Sequence, residues 1–361
     1  MSTLISNKSR NYWWFIRVTA FLICALMALA PAIADAEEED EGEGEGEEKE
    51  EVVVVAEFNA ALDHYPEGLA IDKSGNIYVT QGTAFFTGNI SDGWIKKISS
   101  NGPELTELAF FKDELGPAGI VVNARGDIFY AKPNIFDPSV NGVYQLLDDG
   151  STELLPGTEY TILANGLALD NHGNLFIGDS LMGAVWRVPT DGSGPAQIWS
   201  DDALLGGCGF GANGVAIWKD SVYVANTSSG LLARIPIRDD GSAGPAELVA
   251  GDTDCDESDD LFGMDGIALD VHGNVYALLV LQHKLVRIDP SDGSVEVLLT
   301  VEDGLYNPAS IAFGTGKGDR QSVFIANYAL FPDIPDFGGV GKSLGPAVLK
   351  YHVGVPGLPL P

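Results

Sequence analysis

A fourteen-residue phrase that recurs along the chain constrains its fold more than any other sequence feature. The first copy runs from Pro66 to Val79 and reads PEGLAIDKSGNIYV. The next four copies contain the related words PAGI, ANGL, ANGV and MDGI, and a degenerate sixth copy contains PASI. Measured at the glycine position, which is serine in the last copy, the spacings are 51, 47, 48, 52 and 44 residues. A period near 48 residues is typical of propeller blades built from four strands.

Each repeat predicts short strands joined by tight turns. In the third repeat an apolar strand over 166–170 is followed by a glycine-containing turn and a second strand over 175–178. A third strand covers 184–188, and an Asp-Gly dipeptide that favours a tight hairpin follows it. The chain shows no sustained helical periodicity. We therefore predict an all-β fold, a six-bladed β-propeller with four-stranded antiparallel blades.

A ring of blades leaves few exposed strand edges once its two ends are joined. The strand-like segment 52–58 precedes the first repeat, and the segment 347–352 comes last. We predict that these two segments pair in the sixth blade, and that residues 52–361 form the propeller.

The N-terminal residues are predicted to lie outside the propeller. Basic residues precede an apolar run over 18–30, and small residues follow at the spacing of a signal-peptidase site. We therefore expect 1–34 to be a secretory signal peptide, because the run is shorter than the ~20 residues of a membrane span. An uncleaved anchor is the alternative. The expected location is secreted or periplasmic, without stable membrane insertion after cleavage.

The acidity of the chain restricts its partners. Residues 35–51 hold twelve acidic side chains and one lysine, which predicts a disordered spacer. The whole chain has 52 acidic and 20 basic residues, a net charge of −32. This balance argues against nucleic acid, because phosphate backbones are bound mainly through Lys and Arg. We expect a small-molecule substrate instead.

The residue before each repeated glycine predicts a metal site. Inner strands of all blades run beside the central channel of a propeller, so residues at one offset converge near its axis. That position reads Glu67, Ala118, Asn165, Asn213, Asp265 and Ala309. The two carboxylates and two amides among them are hard oxygen ligands that suit Ca²⁺ first, with Mg²⁺, Mn²⁺ or Zn²⁺ as alternatives. The other interpretation is that Asn-Gly and Asp-Gly are ordinary turn dipeptides.

The words PEGLAID, ANGVA and MDGIALD in the first, fourth and fifth repeats resemble the senescence-marker-protein and gluconolactonase family. The resemblance covers 52–361 and implies a six-bladed propeller in which Glu67, Asn213 and Asp265 bind the metal. It implies the hydrolysis of a lactone or ester. In that family the third-blade asparagine precedes an Asp-Gly pair, whereas Asn165 stands one place later, directly before glycine.

A central cation would polarise the substrate carbonyl as a Lewis acid, and a carboxylate or histidine would deprotonate water. The catalytic candidates are Asp265, Asp179, His283 and His64. Asp265 is a ligand that doubles as base, and Asp179 ends a second strand at the channel mouth, with a strand-end cap as its alternative role. The two histidines flank blades one and five, where they reach the rim of the site.

Three long connections after second strands, 80–92, 131–140 and 327–345, carry apolar side chains: Phe85, Phe86, Ile135, Phe136, Phe331, Ile334 and Phe337. They predict an apolar lactone or ester, or a lid, and packing of the loops on themselves is the alternative. Cys208 and Cys255 precede neighbouring blades and are candidates for a disulfide in an oxidising compartment.

Two classes of function follow. The axial oxygen ligands favour a metal-dependent hydrolase, or a lyase or isomerase on the same metal. The lack of a secure general base favours a non-catalytic propeller that binds a ligand or partner.

Overall fold

The computed structural model describes residues 51–361 except 63, 83–91, 103, 113–115, 135–136, 255–259 and 330–342. The predicted signal peptide and nearly all of the predicted spacer lie outside the described residues. So do Cys255 and the seven apolar residues of the three long connections.

The described residues form 24 strands in six antiparallel sheets of four. Blade one contains β2 (Tyr65–Ile71), β3 (Ile77–Gly82), β4 (Gly93–Ile98) and β5 (Leu105–Phe111). Blade two contains β6 (Ile120–Val122), β7 (Ile128–Lys132), β8 (Gly142–Leu146) and β9 (Thr152–Leu154). Blade three contains β10 (Ala164–Leu169), β11 (Asn174–Asp179), β12 (Ala184–Pro189) and β13 (Gln197–Ser200).

The remaining three blades repeat this plan. Blade four contains β14 (Ala212–Trp218), β15 (Ser221–Asn226), β16 (Leu231–Pro236) and β17 (Glu247–Ala250). Blade five contains β18 (Met264–Leu269), β19 (Val275–Leu279), β20 (Lys284–Ile288) and β21 (Val295–Leu299). Blade six contains β22 (Pro308–Phe313), β23 (Ser322–Asn327), β24 (Ala347–His352) and β1 (Val53–Glu57). The predicted six-bladed β-propeller is confirmed.

The two ends of the propeller share blade six, as predicted. The strand order is β1-β24-β23-β22, so the first strand is the outermost one of the last blade. Val53 pairs with Lys350 and Glu57 with Ala347 in an antiparallel ladder. The ring is therefore fastened by backbone hydrogen bonds between segments almost 300 residues apart.

Helical structure is confined to four 3₁₀ turns, Ala60–Leu62, Thr158–Tyr160, Ala203–Leu205 and Val301–Asp303, in the described part of the chain. None of the helices described has the length and hydrophobicity needed to cross a membrane.

In the described part of the chain, six hydrophobic clusters each lie between two neighbouring blades. A seventh, smaller cluster consists of Ala309 and Tyr328. The cluster between blades four and five, for example, packs Tyr223 and Leu232 against Met264 and Leu279. The cluster between blades six and one packs Phe324 and Val348 against Leu69 and Val79. Because apolar burial is shared by all six interfaces, no blade has a complete core of its own.

The repeated glycine allows neighbouring inner strands to approach each other. A Cβ atom on Gly166 would lie 2.3 Å from the carbonyl oxygen of Asn213, the residue before the glycine of the next blade. The same clash, at 2.1 to 2.5 Å, arises at Gly68, Gly119, Gly214 and Gly266. At the sixth junction Ser310 replaces glycine, and its Oγ accepts a hydrogen bond from the backbone N–H of Leu69 at 3.1 Å.

The C-terminal segment 353–361, called the strap below, crosses the end of the ring that carries the inner hairpin turns. Its backbone bonds to Arg320 and Gln321 of blade six, then to Leu269 and Val271 of blade five. The carbonyl oxygen of Pro361 accepts the N–H of Ala124 in blade two at 2.8 Å. Blades five and two stand opposite each other in a ring of six, so the strap crosses the axis at this end.

Candidate functional site

The opposite end of the channel carries the six residues that precede the repeated glycines. Each begins or adjoins an inner strand, and the glycine contacts bring the backbone of one ring position against the next. Ala118 and Ala309 are buried, whereas Glu67 and Asp265 are half-buried residues. The packing of the inner strands supports the predicted convergence of this position on the axis, which stays a prediction.

Glu67 and Asp265 lie close enough for their charges to interact. Burial raises the pKa of Glu67 well above its ordinary value, and the negative charge of Asp265 raises it further. Burial likewise raises the pKa of Asp265 to about 7, against a hydrogen bond from Asn213 that acts in the opposite direction. No described residue donates a hydrogen bond to Glu67, and no positive charge among the described residues lowers the pKa of either carboxylate.

Two hydrogen bonds, both through the Thr227 hydroxyl, fix Asn213 beside Asp265. Its amide nitrogen donates to Thr227 Oγ1 at 3.0 Å, and the Thr227 hydroxyl donates to the carbonyl oxygen of Met264 at 2.8 Å. The Asn213 side chain also lies close enough to the Asp265 carboxylate to lower its pKa. With its nitrogen occupied in this way, the amide oxygen of Asn213 is left for a ligand.

Asn165 occupies the same position in blade three and has a similar neighbour. Its amide nitrogen lies 3.4 Å from Ser180 Oγ, and the Ser180 hydroxyl donates to the carbonyl oxygen of Ala212 at 3.0 Å. This arrangement matches that of Asn213 and Thr227 one blade further on. The role of Asn165 as a metal ligand stays a prediction.

The donor set fits a hard divalent cation. In the described ranges no group of three His, Cys, Asp or Glu side chains is arranged to hold a metal ion. The predicted set contains only two carboxylates, the others being amides, and oxygen donors of this mixed kind are those that Ca²⁺ accepts. Two buried like charges with raised pKa values, next to an amide oxygen, are the arrangement that a bound cation would relieve.

Asp179 binds backbone N–H groups of the loop that leads into its own blade. Its two carboxylate oxygens accept the backbone N–H groups of Ile162 and Leu163 at 2.8 and 2.9 Å. They also accept the N–H of Met182 and the indole N–H of Trp186. Burial raises the pKa of Asp179 although these four donors act in the opposite direction. These contacts match the alternative role of a strand-end cap, so Asp179 has no part in the function proposed below.

His283 is buried at the junction of blades five and six. Its φ of 57° matches those of Gly183 and Gly230, which stand at the same place in blades three and four. Its Nδ1 accepts the backbone N–H of Asn307 at 3.0 Å, and its ring stacks on Tyr306 with centroids 4.3 Å apart. One ring nitrogen thus holds the backbone that enters blade six, and a catalytic role for His283 stays a prediction.

His64 lies just before β2, where it makes an edge-on contact with Trp94 at 4.5 Å between ring centroids. Its catalytic role also stays a prediction. Cys208 is disulfide-bonded, and the other two cysteines of the chain lie outside the described residues.

Tyr328 is a site residue that sequence analysis missed. It directly follows β23, and its ring packs with Ala309, the axial residue of blade six, and with Tyr65 at 5.7 Å between centroids. Burial and the charges of Glu67 and Asp265 raise the pKa of its phenol, so the phenol stays neutral. The position of Tyr328 after its strand could have identified it from the sequence. Tyr328 follows Asn327, the last residue of β23, just as Ser180 and Thr227 follow the last residues of β11 and β15.

Fold and site together define a six-bladed propeller with an oxygen-donor centre at one end of its channel. No family model matches the sequence, and no curated protein matches it. Solved structures do match, and the neighbours include six-bladed propellers of the gluconolactonase and regucalcin kind.

A luciferin-regenerating enzyme matches with a TM-score of 0.60 and 20% identity, over 86% of this chain and 98% of that one. A gluconolactonase from Xanthomonas campestris matches with a TM-score of 0.58 and 15% identity, over 84% and 89%. Regucalcin from Agrobacterium tumefaciens, described as a calcium-binding protein, matches with a TM-score of 0.59 and 15% identity, over 85% and 98%. At these identities the likeness establishes the shared fold.

Proposed function

We propose that this protein is a secreted or periplasmic hydrolase of lactones or esters that depends on a divalent cation, Ca²⁺ first. Glu67, Asn213 and Asp265 would hold the cation, with Asn165 as a fourth oxygen donor. The substrate would be a small molecule of apolar character. The fold shared with a gluconolactonase and with a calcium-binding regucalcin supports this class of function.

The observation that carries the proposal is the uncompensated carboxylate pair at the axis. Burial raises the free-energy cost of ionising both carboxylates, and the charge of Asp265 raises that of Glu67 further, in a place where one cation would offset the cost. A propeller that needed only mechanical stability would gain from Ala at these positions, as it has at Ala118 and Ala309.

A bound cation would supply Lewis-acid polarisation of the substrate carbonyl. The protein side chains would do the rest. Asn213 lowers the pKa of the neighbouring Asp265 carboxylate, and Asp265 would accept the proton of the attacking water.

The test is hydrolysis of a panel of lactones and aryl esters, with and without chelator, by the wild type and Asp265→Asn. We expect chelator to abolish turnover of the wild type and Ca²⁺ to restore it. Asp265→Asn should lower kcat/KM by about 10²-fold or more, because it replaces a charged ligand by a neutral amide and removes the proton acceptor. Calorimetric Ca²⁺ titration should show weaker binding by the same variant.

Asp292→Asn is the matched control, since it makes the same charge change in an exposed hairpin of the same blade. It should keep wild-type turnover and Ca²⁺ affinity. Turnover that neither chelator nor Asp265→Asn alters would contradict the proposed mechanism.

A second candidate is a cation-binding propeller without catalysis. It is favoured by the engagement of two proposed general bases, since the Asp179 oxygens and one nitrogen of His283 hold backbone groups. Tight Ca²⁺ binding without turnover of any panel compound would support this candidate.

A further inference from the structure

One phenol at the axial site has no role in the function proposed above. Tyr328 is 7% exposed, and no described residue forms a hydrogen bond with its phenol oxygen. Its phenol oxygen is not among the fully enclosed side-chain atoms that lack a partner, so it borders open space. A hydroxyl placed in this way can donate a hydrogen bond to a molecule that comes from outside the protein.

The position of Tyr328 follows from strand register. Adjacent residues of a strand face opposite sides. In blades three and four the residue that caps the preceding loop, Asp179 or Asn226, is followed by a hydroxyl residue that contacts the axial asparagine. In blade six Asn327 caps the preceding loop through Tyr306 N–H at 2.7 Å, and Tyr328 comes next.

The size of Tyr328 is matched to the small axial residue of its own blade. Ser180 and Thr227 stand beside asparagines, whereas Tyr328 packs on Ala309 and on the ring of Tyr65. The aromatic ring thus fills the sector in which blade six contributes no oxygen ligand. Its backbone is held there by the N–H of Tyr328, which donates to the carbonyl oxygen of Asn307 at 3.2 Å.

Packing and charge place this phenol beside the proposed cation site. Its ring contacts the axial Ala309, and the charges of Glu67 and Asp265 act on its hydroxyl. A neutral O–H donor beside a cation site is suited to an oxygen atom that carries or develops negative charge.

We propose that Tyr328 is a catalytic residue of the axial site, whose phenol O–H donates a hydrogen bond to the oxygen on which negative charge develops in a bound ester or lactone. This inference rests on the proposed function and adds a donor to it. The same hydrogen bond would hold the oxygen of a tetrahedral oxyanion.

The test compares the wild type with Tyr328→Phe, which removes only the hydroxyl. On the best ester or lactone of the panel we expect kcat to fall by about 10²-fold with KM nearly unchanged, as for the loss of one oxyanion donor. Calorimetric titration with methylphosphonate, a tetrahedral oxyanion, in the presence of Ca²⁺ should show roughly ten-fold weaker binding. Ca²⁺ affinity and Tm should stay at wild-type values.

Tyr223→Phe is the matched control, because it removes a buried phenol oxygen that contacts Arg234 of β16. It should change neither turnover nor methylphosphonate binding. Tyr328→Met, which keeps bulk without a donor, replaces Tyr328→Phe if that variant does not fold.

The outcomes separate this inference from the proposed function. A wild type that hydrolyses nothing but binds methylphosphonate more tightly than Tyr328→Phe would overturn the hydrolase and support the donor. A wild type whose hydrolysis is unchanged by Tyr328→Phe would support the hydrolase and overturn the donor. A parallel loss of Ca²⁺ affinity in Tyr328→Phe would also overturn it, since the hydroxyl would then serve the cation. Absence of both turnover and methylphosphonate binding in the wild type would overturn both.

Discussion

At the scale of single residues, the inner hairpin turns use one carboxylate and one amide in either order. Three turns begin with aspartate and end with asparagine four residues later, and the amide nitrogen donates to the carboxylate at 2.7 Å: Asp72 with Asn76, Asp170 with Asn174, and Asp270 with Asn274. Blade two reverses the pair, since Asn123 Nδ2 donates to Asp127 Oδ2 at 2.7 Å. The contact survives the reversal because it needs only one donor and one acceptor.

The reversal predicts the outcome of a swap. Asn123→Asp should destabilise the protein by about 1–2 kcal/mol, since it replaces the amide donor by a second carboxylate beside Asp127. The double variant Asn123→Asp with Asp127→Asn should recover most of that loss, because it recreates the order found in the other turns. Thermal denaturation measures both effects, and a double variant no more stable than the single one would contradict the prediction.

At the residue scale, the contacts of Asp179 favour the strand-end cap that the sequence left open beside a catalytic role. Asp179 was predicted at the channel mouth because it ends a second strand. Neighbouring residues of a strand face opposite sides, and Ser180 is the one that contacts axial Asn165. Asp179 therefore lies on the other side, among the N–H groups of its loop. The repeat spacing predicts the number of blades. It does not predict which of two neighbouring residues, Asp179 or Ser180, faces the axial asparagine.

At the scale of the inner strand, the repeated glycine is required by close approach. A Cβ on Gly166 would meet the carbonyl oxygen of Asn213 at 2.3 Å and the Cα of Gly214 at 2.8 Å. Backbone atoms cannot move aside as the end of a flexible side chain can. The glycine thus couples the spacing of the blades to the placement of the axial side chain next to it.

Gly166→Ala should therefore lower both stability and cation binding. We expect a loss of about 1–3 kcal/mol from overpacking, together with weaker Ca²⁺ binding because Asn213 is displaced. Gly102→Ala is the control, since nothing lies within 4 Å of a Cβ built at that outer turn. Equal melting temperatures for the two variants would refute the role of close approach.

The elements of the fold were readable from the sequence, whereas one axial partner was not. The period and the turn dipeptides predicted the blades, and the two end segments predicted their closure, which β1 and β24 form. Tyr328 escaped notice because the sixth copy of the phrase is degenerate and carries Ala309 where others carry a ligand. Its contact with Tyr65 joins the first and last blades, which are far apart in sequence.

At the scale of the whole molecule, the axial carboxylates make the stability of the cation-free protein depend on pH. The pKa values of Glu67 and Asp265 are raised in the folded state, the latter from 3.8 to about 7. Between these values the folded chain binds more protons than the unfolded chain. Raising the pH through that window therefore removes stability.

With chelator present, we expect the Tm of the wild type to fall between about pH 5 and about pH 8, and that of Asp265→Asn to fall less. Saturating Ca²⁺ should raise the Tm of the wild type most at the upper end of this range. Asp292→Asn serves again as the charge-matched control. A wild-type profile parallel to that of Asp265→Asn would show that the pair does not control stability.

The strap has a consequence for the order of events in this molecule. Because it bonds to blades six, five and two, it obstructs the hairpin-turn end of the axis. For the proposed cation and substrate, this leaves the carboxylate end as the expected route of entry. On the proposed function, the cation held by the axial residues would bind before the substrate and leave after the product.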